Sequence, residues 1–76
     1  MSFIRTTYKS DIDALDALVR SLAAFEQKYH ISSDEFYAQY LTGQMEDSKD
    51  FVEWAGDYQH YISLKRELEH KLKVVA

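Results

Sequence analysis

Two long stretches of this chain place apolar residues at steps of three and four, and that spacing constrains the fold most. Leu15, Leu18, Leu22, Phe25 and Tyr29 make the first series. Phe51, Trp54, Tyr58, Tyr61, Leu64, Leu68 and Leu72 make the second. An α-helix brings such positions onto one face, whereas a half-buried strand needs strict alternation. No proline interrupts either stretch, and there are only two glycines. The spacing therefore predicts an all-α domain built on two long amphipathic helices.

Local signals set the boundaries. Ser10, followed by Asp11 and Asp13, reads as an N-cap with acids in the first turn. The first helix is expected over about residues 11–29, with Val19 and Ile12 widening its apolar stripe and Asp16–Arg20 forming a four-residue pair. Ser32-Ser33-Asp34-Glu35 is a capping box, with Ile31 and Phe36 as its hydrophobic staple. A short second helix should run over about 33–42, with Phe36, Tyr37, Tyr40 and Leu41 on its apolar face and Gly43 as its C′ residue. Asp47 or Ser48 caps a third helix over about 48–73. Lys65, Arg66, Lys71 and Lys73 load its C-terminal end, as the macrodipole favours. Lys49–Glu53, Lys65–Glu69, Glu67–Lys71 and Glu69–Lys73 have the spacing of ion pairs. Gly56 interrupts this helix, and close approach of another helix or a kink is the expected reason. The two long helices are expected to form an antiparallel hairpin with the short one between them. Their unequal lengths leave the third overhanging by about two turns, with the ladder Leu64, Leu68 and Leu72 in need of cover. Residues 1–9, beginning Met1-Ser2-Phe3-Ile4-Arg5, read as an arm or an extension of the first helix.

A chain of 76 residues makes one domain. At that size only about 60% of the unfolded surface is buried on folding. There is no cysteine to supply a disulfide or a thiolate metal site. Stability must come from a dense apolar seam or from a partner. Four Phe, six Tyr and one Trp supply the material for either. Thirteen acids against nine bases give a net charge of -4, the wrong sign for general nucleic-acid binding. The charge is also segregated. Asp34, Glu35, Glu46, Asp47, Asp50, Glu53 and Asp57 face Lys49 alone across residues 34–57. Capping acids at the N-termini of two helices are one reading of this, and an acidic, tyrosine-rich patch that meets a basic partner is the other. No apolar run reaches the roughly 18 residues of a membrane span. The first residues lack a signal-peptide stretch, so the cytoplasm is the expected compartment.

Catalytic and metal chemistry find little support. Glu67-x-x-His70 is half of a carboxylate-bridged metal motif, without its second copy. His30, His60 and His70 do not cluster, and zinc binding is not expected. Ser32 and Ser33 have no base beside them and read as capping residues. No glycine-rich phosphate loop is present. Asp47, Asp50 and Glu53 lack the glycine and closing glutamate of a calcium loop. Trp54, Tyr58 and Tyr61 have the spacing to stack bases, but acids surround them. The second and third helices mimic a helix-turn-helix, yet the recognition helix would begin Asp47-Ser48-Lys49-Asp50, which repels phosphate. No enzyme activity, cofactor or metal is expected.

The run Phe25…Lys28-Tyr29…Ser32-Ser33-Asp34-Glu35-Phe36-Tyr37…Tyr40…Gly43…Asp47…Asp50-Phe51-Val52-Glu53-Trp54…Tyr58…Tyr61…Leu64 resembles small all-helical proteins of bacteria and archaea encoded beside a toxin-like neighbour. Those proteins are regarded as antitoxins. Their pattern is K-Y-x-[ML]-S-x-x-E-F, a glycine, then D-x-F-E-W and aromatic steps. His30-Ile31-Ser32-Ser33-Asp34-Glu35-Phe36 matches the turn, and Asp50-Phe51-Val52-Glu53-Trp54 matches the second half with one inserted residue. The resemblance spans roughly residues 22–73 and implies neutralising binding to a partner protein, without chemistry of its own.

The expected contact surface is the exposed part of the aromatic face, Tyr37, Tyr40, Trp54, Tyr58 and Tyr61, rimmed by Asp50, Glu53 and Asp57. Tyr and Trp are the types enriched in binding hot spots. A small DNA-binding regulator and a homodimeric interaction protein are the alternatives, and no membrane partner is expected.

Overall fold

The computed structural model describes residues 11–75, with side chains through Leu72. The N-terminal arm, the Ser10 cap and the Glu69–Lys73 pair lie outside the described residues. Three helices follow one another: α1 Asp11–Tyr29, α2 Ser33–Leu41 and α3 Lys49–Val75. α1 and α3 form the antiparallel hairpin, and α2 packs across both at the end where the chain turns. Among the described residues no helix is long and apolar enough to cross a membrane.

Each boundary has a local cause. α1 stops because His30 turns into the left-handed region at φ 58, while its amide still donates to the Glu26 carbonyl at 2.8 Å. Ser32 caps α2, accepting from the Glu35 amide at 3.4 Å. Ile31 packs against the core cluster that holds Phe36. α2 ends in a Schellman turn. The Gln44 amide donates to Gln39 O at 3.0 Å and the Gly43 amide to Tyr40 O at 3.2 Å, with Gly43 at φ 80. Ser48 rather than Asp47 caps α3, its hydroxyl accepting from the Phe51 amide at 3.1 Å.

The core is an aromatic stack. Trp54 and Phe36 are wholly buried, with parallel rings at a centroid distance of 3.9 Å. Phe25 and Tyr29 stack on the same indole at 5.4 and 5.7 Å. Phe51 closes the group by meeting both Tyr29 and Phe36. Leu22 and Ala55 complete the cluster. Such ring pairs add about 0.5–1.5 kcal/mol each beyond their burial.

One expectation about α3 holds and another needs correction. The overhang of about two turns is present. Tyr29 lies against Asp50, so the eighteen steps from Tyr29 back to Asp11 reach the level of residue 68, and α3 runs on to Val75, about two turns further. Lys71 Nζ reaches back about 5 Å along α3 to bond Asp11 Oδ2 at 2.9 Å. Leu64 is buried, Leu68 is half-buried, and only Leu72 stays open. Gly56 is not a close-approach site. A Cβ there would meet nothing within 4 Å, and the residue faces outward.

Candidate functional site

The expected contact residues divide into three environments. Trp54 is core, not surface. It is wholly buried, and its indole N–H donates to Ser33 Oγ at 2.9 Å. Ser33 is itself buried. This serine is therefore the acceptor that allows an indole nitrogen inside the aromatic stack, a role beyond helix capping. The spacing of the sequence could not single it out from its neighbour Ser32.

Asp50 and Asp57 face α1 and do not form a rim. Asp50 accepts from Lys28 Nζ at 2.7 Å and from the Tyr29 hydroxyl at 2.6 Å. Those two hydrogen bonds hold its carboxyl below the usual carboxylate range. Asp57 accepts from the Ser21 hydroxyl at 2.6 Å. Both acids tie the hairpin together. Glu53 is exposed on the outer side of α3.

The tyrosines remain as surface. Tyr37 meets Tyr58 with ring centroids 5.0 Å apart, and Tyr58 meets Tyr61 at 6.1 Å. This row is half-buried, with rings fixed by one another. The Tyr37 hydroxyl accepts from Gln59 Nε2 at 2.6 Å. Tyr40 stands apart at the other end of α2. Its ring rests on Phe36 and its hydroxyl donates to Asp47 at 3.3 Å.

Tyr58 and Tyr61 border an open cleft of about 360 Å³. α1 contributes Val19, Leu22, Ala23 and Glu26; α2 contributes Ser33 and Asp34; α3 adds Ile62 and Lys65. Glu26 was not visible as a site residue in the sequence. Its carboxylate accepts from the Ser33 amide at 2.7 Å, capping α2 from another helix. Asp34 is held below the usual carboxylate range by the Ser32 hydroxyl and then by the Glu35 amide. It stays anionic at neutral pH. Burial, and then the negative charge of Asp34, raise the Tyr58 phenol above its ordinary value. Lys65 Nζ lies 5.9 Å from the centre of the Tyr61 ring, so a cation already rests on this tyrosine face.

Among the described residues no group of three or more His, Asp or Glu is placed to hold a metal ion. His30, His60, Glu67 and His70 are each exposed. No family model, curated protein sequence or solved structure matches this chain.

Proposed function

We propose that this chain is a non-catalytic protein-binding module of the cytoplasm, acting as an antitoxin-like partner that neutralises a toxin by covering it. The observation that supports the reading is the row Tyr37–Tyr58–Tyr61. Three mutually packed rings stand half-exposed beside an open cleft with two carboxylates on its border. Rigid aromatic anchors beside a polar rim are what binding hot spots use, because the ordering cost of each ring is met before the partner arrives. The resemblance to antitoxin-type proteins in the Lys28–Phe36 and Asp50–Trp54 segments gives the partner its class.

The test is co-expression with the small reading frame next to the gene. If that product arrests growth, the chain should relieve the arrest. The double substitution Tyr58→Ala and Tyr61→Ala should abolish relief while far-UV circular dichroism stays helical. Full relief by this helical double variant would remove the tyrosine row from the contact. Failure of the unaltered chain to relieve an established arrest would remove the antitoxin role.

A further inference from the structure

α2 packs over the hairpin only at its turn end, where Phe36 meets Phe51 and Trp54 and Tyr37 meets Tyr58. Beyond Ser33 the furrow between α1 and α3 continues as the open cleft. Val19 and Glu26 line it on α1, and Tyr58 and Lys65 on α3. Each pair is seven residues apart, and the same step places Ile12 and Leu72 on these two columns beyond the cleft. Residues seven apart lie on nearly the same line of a helix, so the cleft walls extend along the hairpin. Ile12, Val19 and Leu72 are 61%, 46% and 70% exposed. These three large apolar side chains thus share one side of the molecule rather than being scattered. From Tyr58 to Leu72 the furrow is about 21 Å long, the length of a helix of about four turns.

The geometry points to a specific occupant. The groove between the Ile12–Val19–Glu26 and Tyr58–Lys65–Leu72 columns binds an amphipathic α-helix of a partner protein, apolar at i, i+3 or i+4 and i+7, with arginine or lysine at the end that meets Glu26 and Asp34. This rests on the reading of the chain as a protein-binding module and names the chemistry of its partner. Two observations carry it. A pair of side-by-side helices offers a groove of the shape a third helix fills, and α2 fills that position only at one end. The charge at the α2 end is acidic, with Glu26 and Asp34 on the cleft and Glu35 beside them. A basic residue there gains two carboxylates and the Tyr58 face, since Lys65 of the same cleft rests on Tyr61 about two turns further along α3, and an acidic residue at this end meets repulsion.

The test uses the full chain, labelled with 15N, and two synthetic helical peptides of about 15 residues. Both carry leucine at a and d heptad positions. One ends in two arginines, the other in two glutamates at the same places. The arginine peptide should bind at least 10-fold tighter, with amide shifts concentrated at Val19, Ala23, Tyr58 and Ile62. Val19→Glu, an exposed position whose change leaves the core intact, should weaken it at least 10-fold without loss of helix signal. Ile62→Glu should do the same from the opposite wall. Equal affinity for the two peptides, no binding, or shifts confined to other surfaces would overturn the proposal. So would nuclear Overhauser contacts from residues 1–10 to Val19 and Ile62, which would give the groove to the chain's own N-terminus. Sedimentation showing dimers that Val19→Glu dissociates would give it to a second copy. Growth relief by the Val19→Glu variant, alongside failed peptide binding, would sink the groove and leave the antitoxin reading standing. Peptide binding without growth relief would do the reverse.

Discussion

The buried pair Trp54–Ser33 shows how one side chain fixes two elements. Trp54 brings a large ring to the core and with it an N–H that water cannot reach. Ser33, the first residue of α2, supplies the acceptor at 2.9 Å. The bond joins the start of α2 to the second turn of α3, so the ring stack and the position of α2 are set together. Ser33→Ala removes the acceptor and leaves the indole N–H unpaired in an apolar surround. An unsatisfied buried donor costs about 1–3 kcal/mol, and that loss is expected in urea unfolding monitored by tryptophan fluorescence. Ser32→Ala, one residue earlier, removes an exposed cap and should cost about 1 kcal/mol. A Ser33→Ala variant as stable as the unaltered chain would show that the indole bond contributes nothing.

At the scale of elements, His30 and Gly56 are each in the other's proper place. His30 terminates α1 at φ 58, a conformation in which a Cβ costs about 1 kcal/mol. Gly56 sits inside a helix with open space where its Cβ would be. His30→Gly should stabilise the fold by about 0.5–1 kcal/mol, and Gly56→Ala by a similar amount. Gly43→Ala should destabilise it, since Gly43 adopts φ 80 in the Schellman turn. Thermal unfolding of the three variants checks the signs. The helices themselves were legible in the sequence because their signals are local: periodicity for α1 and α3, the capping box and staple for α2, a C′ glycine at Gly43. What was not legible depends on the third dimension. The Glu26 cap on Ser33 joins residues seven apart across a turn, and no spacing rule distinguishes that glutamate from a solvated one. Asp50 and Asp57 read as surface acids by pattern. Only the packing of α1 shows that Ser21, Lys28 and Tyr29 take them up. The tyrosine row was visible as composition, but the division between Trp54 as core and Tyr58 as surface follows from where α2 lands.

For the whole molecule, the ties between elements titrate, and their signs give a pH profile. Asp50 is held below the usual carboxylate range by the Lys28 and Tyr29 hydrogen bonds. A depressed folded value means that its stabilisation is present above the unfolded value near 3.9. It is lost as pH falls through the lower, folded value. The alkaline side has the opposite sign. Tyr29 is raised chiefly by its hydrogen bond to Asp50, and Lys28 by the same carboxylate. Lys71 is raised by Asp11, and Tyr40 by burial and then by Asp47. Raised folded values mean that the stabilisation is present below the unfolded values near 10. It is lost as pH climbs through the higher, folded values. Stability should therefore hold level across neutral pH, fall on the acid side below about pH 4, and fall again above about pH 10. Asp50→Asn removes the carboxylate that Lys28 and Tyr29 share, so it should flatten part of both limbs at once. Urea midpoints measured from pH 3 to pH 11 on the native chain and on Asp50→Asn decide the matter. A variant that loses stability equally at every pH would show that Asp50 acts by packing alone, not through its charge.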